Sequence, residues 1–323
     1  MITTDIDKAK QALLLNDIIA MPTETVYGLA GNAYNESAIK KIFALKGRPF
    51  YNPLIVHIKS SLFLNNVARE IPELAIKLAE HYWPGPLTLV LKKQPHIPDI
   101  VTSGKDTVAV RVPNHALALE LLNQLDFPLA APSANPFGSI SPTSAEHVSN
   151  YFKDELDLIL EGGECERGVE STIIGFENNK PILYRHGSIS IEEIEKLIGK
   201  INIAVKNDSN PISPGMLSRH YAPSTITYLT NNIPELLKSF QGRKIGLLLF
   251  NKEITSKAIQ VQEVLSKTGD LNDAAKNLYE ALHRLDKNNL DIIIAERFPD
   301  EGLGKTINDR LQRAAKGCKG ITH

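Results

Sequence analysis

The stretch Thr107-Val108-Ala109-Val110-Arg111-Val112-Pro113 decides the fold class of this chain. Its β-branched residues predict a strand, which Pro113 ends. The segment 115–124 follows with apolar residues at helical spacing, and the apolar run 128–131 predicts the next strand. A strand, a helix and a second strand in succession are typical of an α/β domain.

The same alternation runs through the first two-thirds of the chain and predicts one α/β domain, residues 1–200, with a mixed sheet. Amphipathic segments 36–45 and 71–81 predict further helices, and 191–198 predicts a helix that closes the domain. The remaining predicted strands are Asp17 to Met21, Pro53 to Ile58, Thr88 to Lys92, Asp157 to Leu160, Ser171 to Phe176 and Ile182 to Tyr184.

Residues 201–224 interrupt this pattern and predict a linker. A bland flexible connector would be rich in glycine and serine, whereas this segment holds Arg219, His220 and Tyr221 between prolines that stiffen it. It could therefore lie along a surface. Residues 225–323 predict a second, smaller α/β domain, with strands at Ile226 to Leu229, Lys244 to Phe250 and Leu290 to Ala295 and a helix at Asp270 to Asp286.

The composition indicates a soluble globular protein. Of 323 residues, 42% are hydrophobic and 23% are charged, which is enough apolar material for one large or two ordinary cores. Thirty-six basic and 37 acidic residues leave a net charge of -1, so nucleic acid or another anion would need a local basic cluster.

Targeting and metal signals are weak throughout. The apolar stretch 12–15 is too short for a signal peptide, and no apolar run approaches the roughly 20 residues that span a bilayer, so we expect a cytoplasmic protein. Cys165 and Cys318 fit neither a disulfide framework nor a thiolate site, and the nine histidines lack metal-ligand spacing. We expect no dedicated metal site.

The segment Pro22 to Ala30 is the first candidate for chemistry. It begins where the first predicted strand ends and runs into a predicted loop and helix. Ligands gather at the carboxyl ends of strands in open α/β sheets, and Thr23 and Thr25 place two hydroxyl groups there. A turn with a helix N-cap explains the same residues, and on this segment alone that interpretation is favoured.

Two further candidates carry positive charge. Lys46-Gly47-Arg48-Pro49 suits a polyphosphate, because lysine offers a compact charge and arginine a bidentate fork; a helix C-cap explains it equally well. Arg111 either projects into a pocket with a carboxylate partner or lies on a solvent face. Alternation puts it on the same face as Thr107 and Ala109, and since that face is not apolar, a surface arginine is the simpler interpretation.

The remaining candidates follow predicted strands. Ala130 to Asn135, continuing to Thr143, combines small residues with hydroxyl and amide groups that could bind phosphate, ribose or base, although such residues are ordinary in loops. Ser171 and Arg185 lie at two other strand ends and also have surface alternatives. Gly302-Leu303-Gly304-Lys305-Thr306 is rejected as a P-loop because Pro299 occupies the position of its first glycine.

Taken in order, these segments resemble the YrdC-like threonylcarbamoyl-AMP synthase family in its two-domain form, over nearly the whole chain. The matching segments are Pro22 to Ala30, Lys46 to Pro49, Asn52 to His57, Trp83 to Thr88, Thr107 to Pro113, Ala131 to Asn135, Gly168 to Ile173 and the linker Ser213 to Pro223.

The resemblance implies a twisted open α/β sheet with helices, a smaller Rossmann-like C-terminal domain, and a concave pocket for ATP and L-threonine. It implies catalytic roles for Lys46, Arg48 and His57, and a gate formed by residues 213–223. It implies that L-threonine is bound by Thr23, His57, Arg111, Ala131 and Ser171. For ATP it implies Lys46, Arg48, Phe50, Asn52, Thr107, Ser133, Asn135, Ser141, Arg185 and Tyr221.

The implied reaction joins L-threonine, bicarbonate and ATP into threonylcarbamoyl-AMP and pyrophosphate, for t6A modification of tRNA. Mg²⁺ would be held mainly by the ATP phosphates, and tRNA or a downstream transferase complex would be partners. Two alternatives are the related carbamoyl-adenylate chemistry of hydrogenase maturation, which occurs in a much larger chain, and an RNA-binding module. The sequence lacks the motifs and aromatic strings of RNA-binding modules.

Overall fold

The computed structural model describes residues 1–204 and 221–315. These form two compact units: the first unit contains 1–137 and 142–204, and the second unit contains 138–141 and 221–315. Residues 205–220, which carry most of the predicted linker and gate, and Cys318 lie outside the described residues. The boundaries expected at 200 and 224 stay predictions.

The first unit is built on a mixed sheet, which confirms the predicted fold class. Its strands are β1 (Ile2–Thr3), β2 (Ile19–Met21), β3 (Gly28–Asn32), β4 (Ile55–His57), β5 (Ala68–Arg69), β6 (Leu87–Lys93), β7 (Thr107–Arg111), β8 (Leu129–Ala130), β9 (Ile159–Leu160), β10 (Thr172–Glu177), β11 (Lys180–Arg185) and β12 (Asn202–Ile203).

The helices of the first unit cover this sheet. They are α1 (Ile6–Leu14), α2 (Glu36–Lys46), α3 (Glu73–Tyr82), α4 (Asp99–Thr102), α5 (Ala116–Asn123), α6 (Ala145–Phe152) and α7 (Ile191–Ile198), with short 3₁₀ turns at Ser61–Asn66 and Lys153–Glu155. The predicted closing helix is confirmed at its stated bounds, where Ser190 and Glu193 form a capping box that begins α7.

The strand order is β1-β9-β2-β3-β8-β4-β7-β6-β10-β11-β12, with β5 paired to β6. Neighbours β4 and β7 are parallel, as are β6 and β10, whereas β6 and β7 are antiparallel. The main core lies between sheet and helices, with residues such as Val56, Leu89 and Val110 fully buried. The strands β4, β7 and β10 therefore lie in the central part of this strand order.

One predicted element is wrong. The segment after Pro22 was expected to run through a loop into a helix, but Gly28–Asn32 forms strand β3, antiparallel to β2 and to β8. Glycine and alanine dominate this strand, and both are poor formers of strands. Pairing with two neighbours decides its conformation, and small side chains suit it because Gly31 lies against Ile18, Ala38 and Ile42.

The end of α2 places two basic side chains at the site. Asn35 caps its first turn, and Gly47 ends it in the left-handed conformation at φ 60°. The N–H groups of Gly47 and Arg48 donate to the carbonyl oxygens of Ala44 and Phe43, at 3.1 and 3.0 Å. This is the Schellman pattern, in which glycine avoids the strain that a Cβ would bring. Lys46 therefore lies in the last helical turn and Arg48 just beyond it.

The second unit is a smaller α/β body with a parallel sheet in the order β13-β16-β14-β15. The predicted strands are confirmed within a few residues, and β15 was not predicted. The elements are β13 (Ile226–Thr230), α8 (Ile233–Ser239), β14 (Ile245–Leu249), β15 (Ile259–Val264), α9 (Leu271–Asp286), β16 (Ile292–Glu296) and α10 (Leu303–Ala314).

Aromatic and basic side chains pack together inside the second unit. Tyr221 is buried and stacks on Tyr279 at 5.8 Å between ring centroids, while the Arg310 guanidinium lies 4.8 Å from the Tyr221 ring centre. His283 Nε2 lies 3.2 Å from the carbonyl oxygen of Ser141. Within residues 1–204 and 221–315, no helix has the length and apolar character needed to cross a bilayer.

Candidate functional site

Arg111, at the end of β7, is buried with only 4% of its surface exposed. Its Nε donates to the Gly85 carbonyl oxygen at 3.2 Å and its Nη1 donates to Thr25 Oγ1 at 2.9 Å. Its Nη2 lies 2.7 Å from Glu24 Oε2, an ion pair outside hydrogen-bond geometry. The surface interpretation of Arg111 is therefore wrong, because the side chain is buried with Glu24 as its carboxylate partner.

The predicted threonine-binding residue Thr23 lies in the same network. Its hydroxyl donates to the Val26 carbonyl oxygen at 2.6 Å and accepts from the Thr25 and Val26 N–H groups at 3.2 Å. Since that proton is already committed, the 2.9 Å contact with Thr25 makes Thr25 the donor. The loop between β2 and β3 is thus held by its own hydroxyl groups and by Arg111.

His57 occupies the register position beside Arg111 on the parallel neighbour β4. Burial, together with the positive charge of Arg111, lowers the pKa of His57 to about 3. The imidazole is therefore neutral at physiological pH. Its Nδ1 has no hydrogen-bond partner among the described residues, and in the tautomer with the ring proton on Nε2 this atom accepts a hydrogen bond from a ligand.

Ser171 and Arg185 meet at the ends of β10 and β11. Arg185 donates through Nε and Nη2 to the Ser171 carbonyl oxygen, at 3.1 and 2.9 Å, and through Nη2 to Ser171 Oγ at 3.0 Å. Thr88 Oγ1 lies 2.7 Å from the same hydroxyl. A Cβ on Gly187 would lie 2.3 Å from the Ser171 backbone carbon, so this close approach requires glycine.

Lys46 joins α2 to the loop after β8. Its buried Nζ donates to the carbonyl oxygens of Ser133 and Asn135. Burial and then the nearby charge of Arg48 lower the pKa of Lys46 well below its ordinary value. A bound anion would stabilise the ammonium form and raise that pKa again.

Arg48 is held by the backbone that follows it. Its Nε donates to the Asn52 carbonyl oxygen at 3.0 Å and its Nη2 to the Pro53 carbonyl oxygen at 2.7 Å. The Asn52 side-chain amide is buried, and neither its oxygen nor its nitrogen has a partner among the described residues. Phe50 differs from these groups, since it is 61% exposed and packs on Phe43 with ring centroids 4.9 Å apart.

The loop after β8 is tied to the loop between β2 and β3. The Ala131 N–H donates to the Ile55 carbonyl oxygen at 2.9 Å, and the Ala134 N–H donates to the Tyr27 carbonyl oxygen at 2.8 Å. Ser133 forms a bridge with Gly28. The first unit therefore joins the predicted residues Thr23, Lys46, His57, Arg111, Ala131, Ser133 and Asn135 through continuous hydrogen bonds and strand pairing.

Thr107 lies apart from the charged cluster, at the opposite end of β7. It lies four positions before Arg111 along the strand, a distance of about 13 Å. It lines a cavity of about 860 Å³ together with Val90, Lys92 and Asp106. The buried apolar side chains between these two ends are Ile55, Val90, Ala109 and Ile173.

Two predicted nucleotide contacts belong to the second unit. Ser141 is fully buried there, and Tyr221 is enclosed by Tyr279 and Arg310. The structure thus connects most of the predicted residues of the first unit, with Thr107 apart from them, and Ser141 and Tyr221 belong to the second unit. Their assignment to the nucleotide stays a prediction.

Sequence reasoning missed three residues of this site: Glu24, Thr88 and Gly187. Glu24 is buried beside Arg111, Thr88 contacts Ser171, and Gly187 allows the close backbone approach. A signal existed for Glu24, because an acid between two threonines at a strand end is costly to bury without a cation. Thr88 and Gly187 carry no signal that separates them from ordinary strand and turn residues.

Metal and thiol chemistry have little support in the part of the chain that the structure describes. No three His, Cys, Asp or Glu side chains there group in a way that could hold a metal ion. Burial, followed by the charge of Glu24, raises the pKa of the Cys165 thiol above its ordinary value. The nucleophilic thiolate form of Cys165 is therefore disfavoured.

The fold and the site define an α/β protein whose interior cations, hydroxyl groups and backbone amides suit a small anionic or zwitterionic ligand. Residues 11–187 match the Sua5/YciO/YrdC family model, described as telomere recombination, and residues 189–316 match the model of the threonylcarbamoyl-AMP synthase C-terminal domain. The chain belongs to the Sua5/YciO/YrdC family in its two-domain form.

Individual relatives agree with this assignment. The chain is 44% identical to threonylcarbamoyl-AMP synthase of Pyrococcus abyssi over 92% of its own length and 90% of the relative. It is 42% identical to threonylcarbamoyl-AMP synthase of Bacillus subtilis, over 98% and 94%. The crystal structure of P. abyssi Sua5 complexed with L-threonine matches with a TM-score of 0.88 and 42% identity, covering 96% of this chain and 94% of that one.

Proposed function

We propose that this protein is an ATP-dependent L-threonylcarbamoyladenylate synthase. It forms threonylcarbamoyl-AMP and pyrophosphate from L-threonine, bicarbonate and ATP. One observation carries the proposal: the buried Arg111 site stands in a fold that matches, over nearly its whole length, a relative crystallised with L-threonine. By reaction class the enzyme would be a nucleotidyltransferase.

The threonine site is proposed at the ends of β4, β7 and β10. Arg111 would bind the substrate carboxylate, because an arginine fork matches a carboxylate with two hydrogen bonds. His57 Nδ1, buried and without a partner among the described residues, can accept a substrate N–H or O–H. Thr23, Ala131 and Ser171 would complete the site, through hydroxyl groups and backbone.

The nucleotide site is proposed around the end of α2. Lys46 and Arg48 are buried basic side chains there, and Arg185 adds a third at the end of β11. These groups would stabilise the negative charge of the triphosphate in the transition state. The other proposed contacts to ATP are Phe50, Asn52, Thr107, Ser133, Asn135, Ser141 and Tyr221.

The proposed reaction needs positioning more than it needs a protein nucleophile. The amino group of threonine and bicarbonate give N-carboxythreonine with release of water, and its new carboxylate oxygen bonds to the α-phosphorus of ATP as the bond to pyrophosphate breaks. Mg²⁺ would enter with ATP, held by phosphate oxygens and water, and would neutralise phosphate charge. The protein's part is to orient the two substrates, to hold the phosphates with cations and to exclude water from the mixed anhydride.

The product suits a cytoplasmic pathway of tRNA modification. We propose that threonylcarbamoyl-AMP passes to tRNA, or to a transferase complex that acts on tRNA, for t6A formation at position 37. The relatives' names and the L-threonine complex support the substrate side of this proposal.

The decisive experiment follows pyrophosphate release from ATP while L-threonine and bicarbonate are omitted in turn. Because only the proposed reaction needs all three substrates, release should fall to background in each omission. Lys46→Ala should lower turnover by about 100-fold or more, as expected when a group that stabilises transition-state charge is removed.

The matched control is Lys40→Ala, at an exposed lysine of the same helix that pairs with Glu36. It should keep wild-type turnover. Release that does not depend on threonine would refute the proposed function. Salt-sensitive RNA binding without threonine-dependent ATP cleavage would favour an RNA-binding module instead.

A further inference from the structure

Glu24 is a buried acidic residue without a role in the reaction proposed above. It lies in the loop between β2 and β3 with 2% of its surface exposed. Its backbone is fixed, since its carbonyl oxygen accepts from the Arg167 N–H at 2.7 Å. Neither side-chain oxygen accepts a hydrogen bond from any described residue, and the nearest cation is Arg111 Nη2 at 2.7 Å from Oε2.

This arrangement is costly for the free protein. A buried carboxylate is stabilised by hydrogen-bond donors as well as by charge, and Glu24 has the charge without the donors. Two Arg111 donors, Nε and Nη1, bind Gly85 and Thr25, and the third, Nη2, lies 2.7 Å from Glu24 Oε2 without hydrogen-bond geometry. A buried acceptor beside a buried cation is therefore available to a ligand that brings its own N–H groups.

The charges of Arg111 and Glu24 specify which charged groups such a ligand carries. If a substrate carboxylate binds Arg111, it comes close to the Glu24 carboxylate, and two negative charges a few ångströms apart repel each other strongly inside a protein. A ligand with a positive group next to its carboxylate removes this repulsion. An α-amino acid zwitterion has that pattern, because its ammonium group is attached to the carbon that bears the carboxylate.

The geometry points to Glu24 as the residue that binds the α-amino group of the amino acid substrate, paired with Arg111 at the carboxylate. This inference rests on the proposed function, in which L-threonine is that substrate. Glu24 then selects amino acids against carboxylic acids that lack the amine. After the amine becomes a carbamate, its remaining N–H still offers one donor to the same oxygen.

The test compares two ligands on three proteins by calorimetric titration. The ligands are L-threonine and its α-hydroxy analogue, in which a hydroxyl replaces the ammonium. Wild-type protein should prefer L-threonine by about 10- to 100-fold, the range expected for a buried hydrogen bond between charged groups. Glu24→Gln should reduce this preference to within about threefold, mainly by weakening L-threonine.

Thr25→Val is the matched control, since it removes the other side chain that contacts Arg111. It should weaken both ligands by similar factors and keep their ratio. If Glu24 only orients Arg111, Glu24→Gln will behave like Thr25→Val, and the inference is overturned. A wild-type preference close to one overturns it as well.

Folding and function are controlled separately. Thermal unfolding and ATP binding show whether each variant is folded. If Glu24→Gln does not fold, Glu24→Asp takes its place; it keeps the charge opposite Arg111 but moves the carboxylate back, and it should also lose most of the preference. Threonine-dependent pyrophosphate release by the wild type tests the proposed function itself, so an active enzyme whose ligand ratio is unaffected by either substitution overturns only the role of Glu24.

Discussion

The neutral state of His57 makes a quantitative prediction about acid stability. Burial and the charge of Arg111 lower its pKa to about 3, against an ordinary value of 6.5. Below pH 6.5 the unfolded chain binds a proton at this histidine while the folded protein does not. Stability from His57 is therefore fully present above pH 6.5 and is lost as the pH falls toward 3.

The perturbation is His57→Gln, which keeps an N–H donor in place of the ring but removes the titrating group. Each pH unit in this window is worth about 1.4 kcal/mol, so from pH 6.5 to 4.5 the wild type should lose roughly 2–3 kcal/mol more than the variant. That is a large part of the stability of an ordinary domain, about 5–15 kcal/mol.

Urea unfolding at several pH values measures this difference, with fluorescence of Trp83 as the probe. Trp83 is the single tryptophan of the chain and lies in the first unit, so its signal follows the unit that contains His57. His81→Gln, at an exposed histidine of α3, is the matched control and should follow the wild type. Parallel wild-type and His57→Gln curves between pH 4.5 and 6.5 would refute the reasoning.

Three other predictions concern single groups. At pH values between the pKa of Lys46 in the free protein and its pKa in the complex, ATP binding should take up a proton, and binding should weaken as the pH rises through the lowered pKa; titrations in buffers of different ionisation enthalpy will detect this. Gly187→Ala should displace the Ser171 backbone and destabilise the first unit by about 1–3 kcal/mol, measured by urea unfolding. Arg310→Met should cost the second unit about 1–2 kcal/mol, read by calorimetry, because the Tyr221 ring loses a buried cation.

Much of the fold could be predicted because its elements carry strong local patterns. Helix α7 combines an apolar stripe with a capping box, and the strands around β7 are rich in β-branched residues. Strand β3 could not be predicted, since Gly28–Asn32 has little preference for extended structure and is held by β2 and β8. Local preference fails where pairing between distant segments decides the conformation.

The candidate site was predictable in its members but not in its contacts. The sequence around Lys46 and Arg48 fits a helix end and an anion site equally well, and the structure places both residues at the helix end with their side chains buried. The two interpretations were therefore never exclusive. The C-cap determines where the helix ends, and the burial of the two side chains determines where their charge acts.

Arg111 shows why the contacts of the candidate site could not be predicted from the sequence. Alternation along β7 correctly places Arg111 on one face with Ala109. Because that face is not apolar within the single strand, the sequence favours a surface position, which is wrong. The neighbours that bury this face, Ile55, Val90 and Ile173, come from three other strands. The hydroxyl that contacts the Arg111 guanidinium lies 86 residues away in sequence. The sequence of a single strand indicates which residues share a face. The partners that stabilise a buried charge come from other strands, and the sheet topology determines which strands these are. The same topology places the Glu24 carboxylate beside Arg111, so the cation that makes this buried acid tolerable comes from a strand that is distant in the sequence.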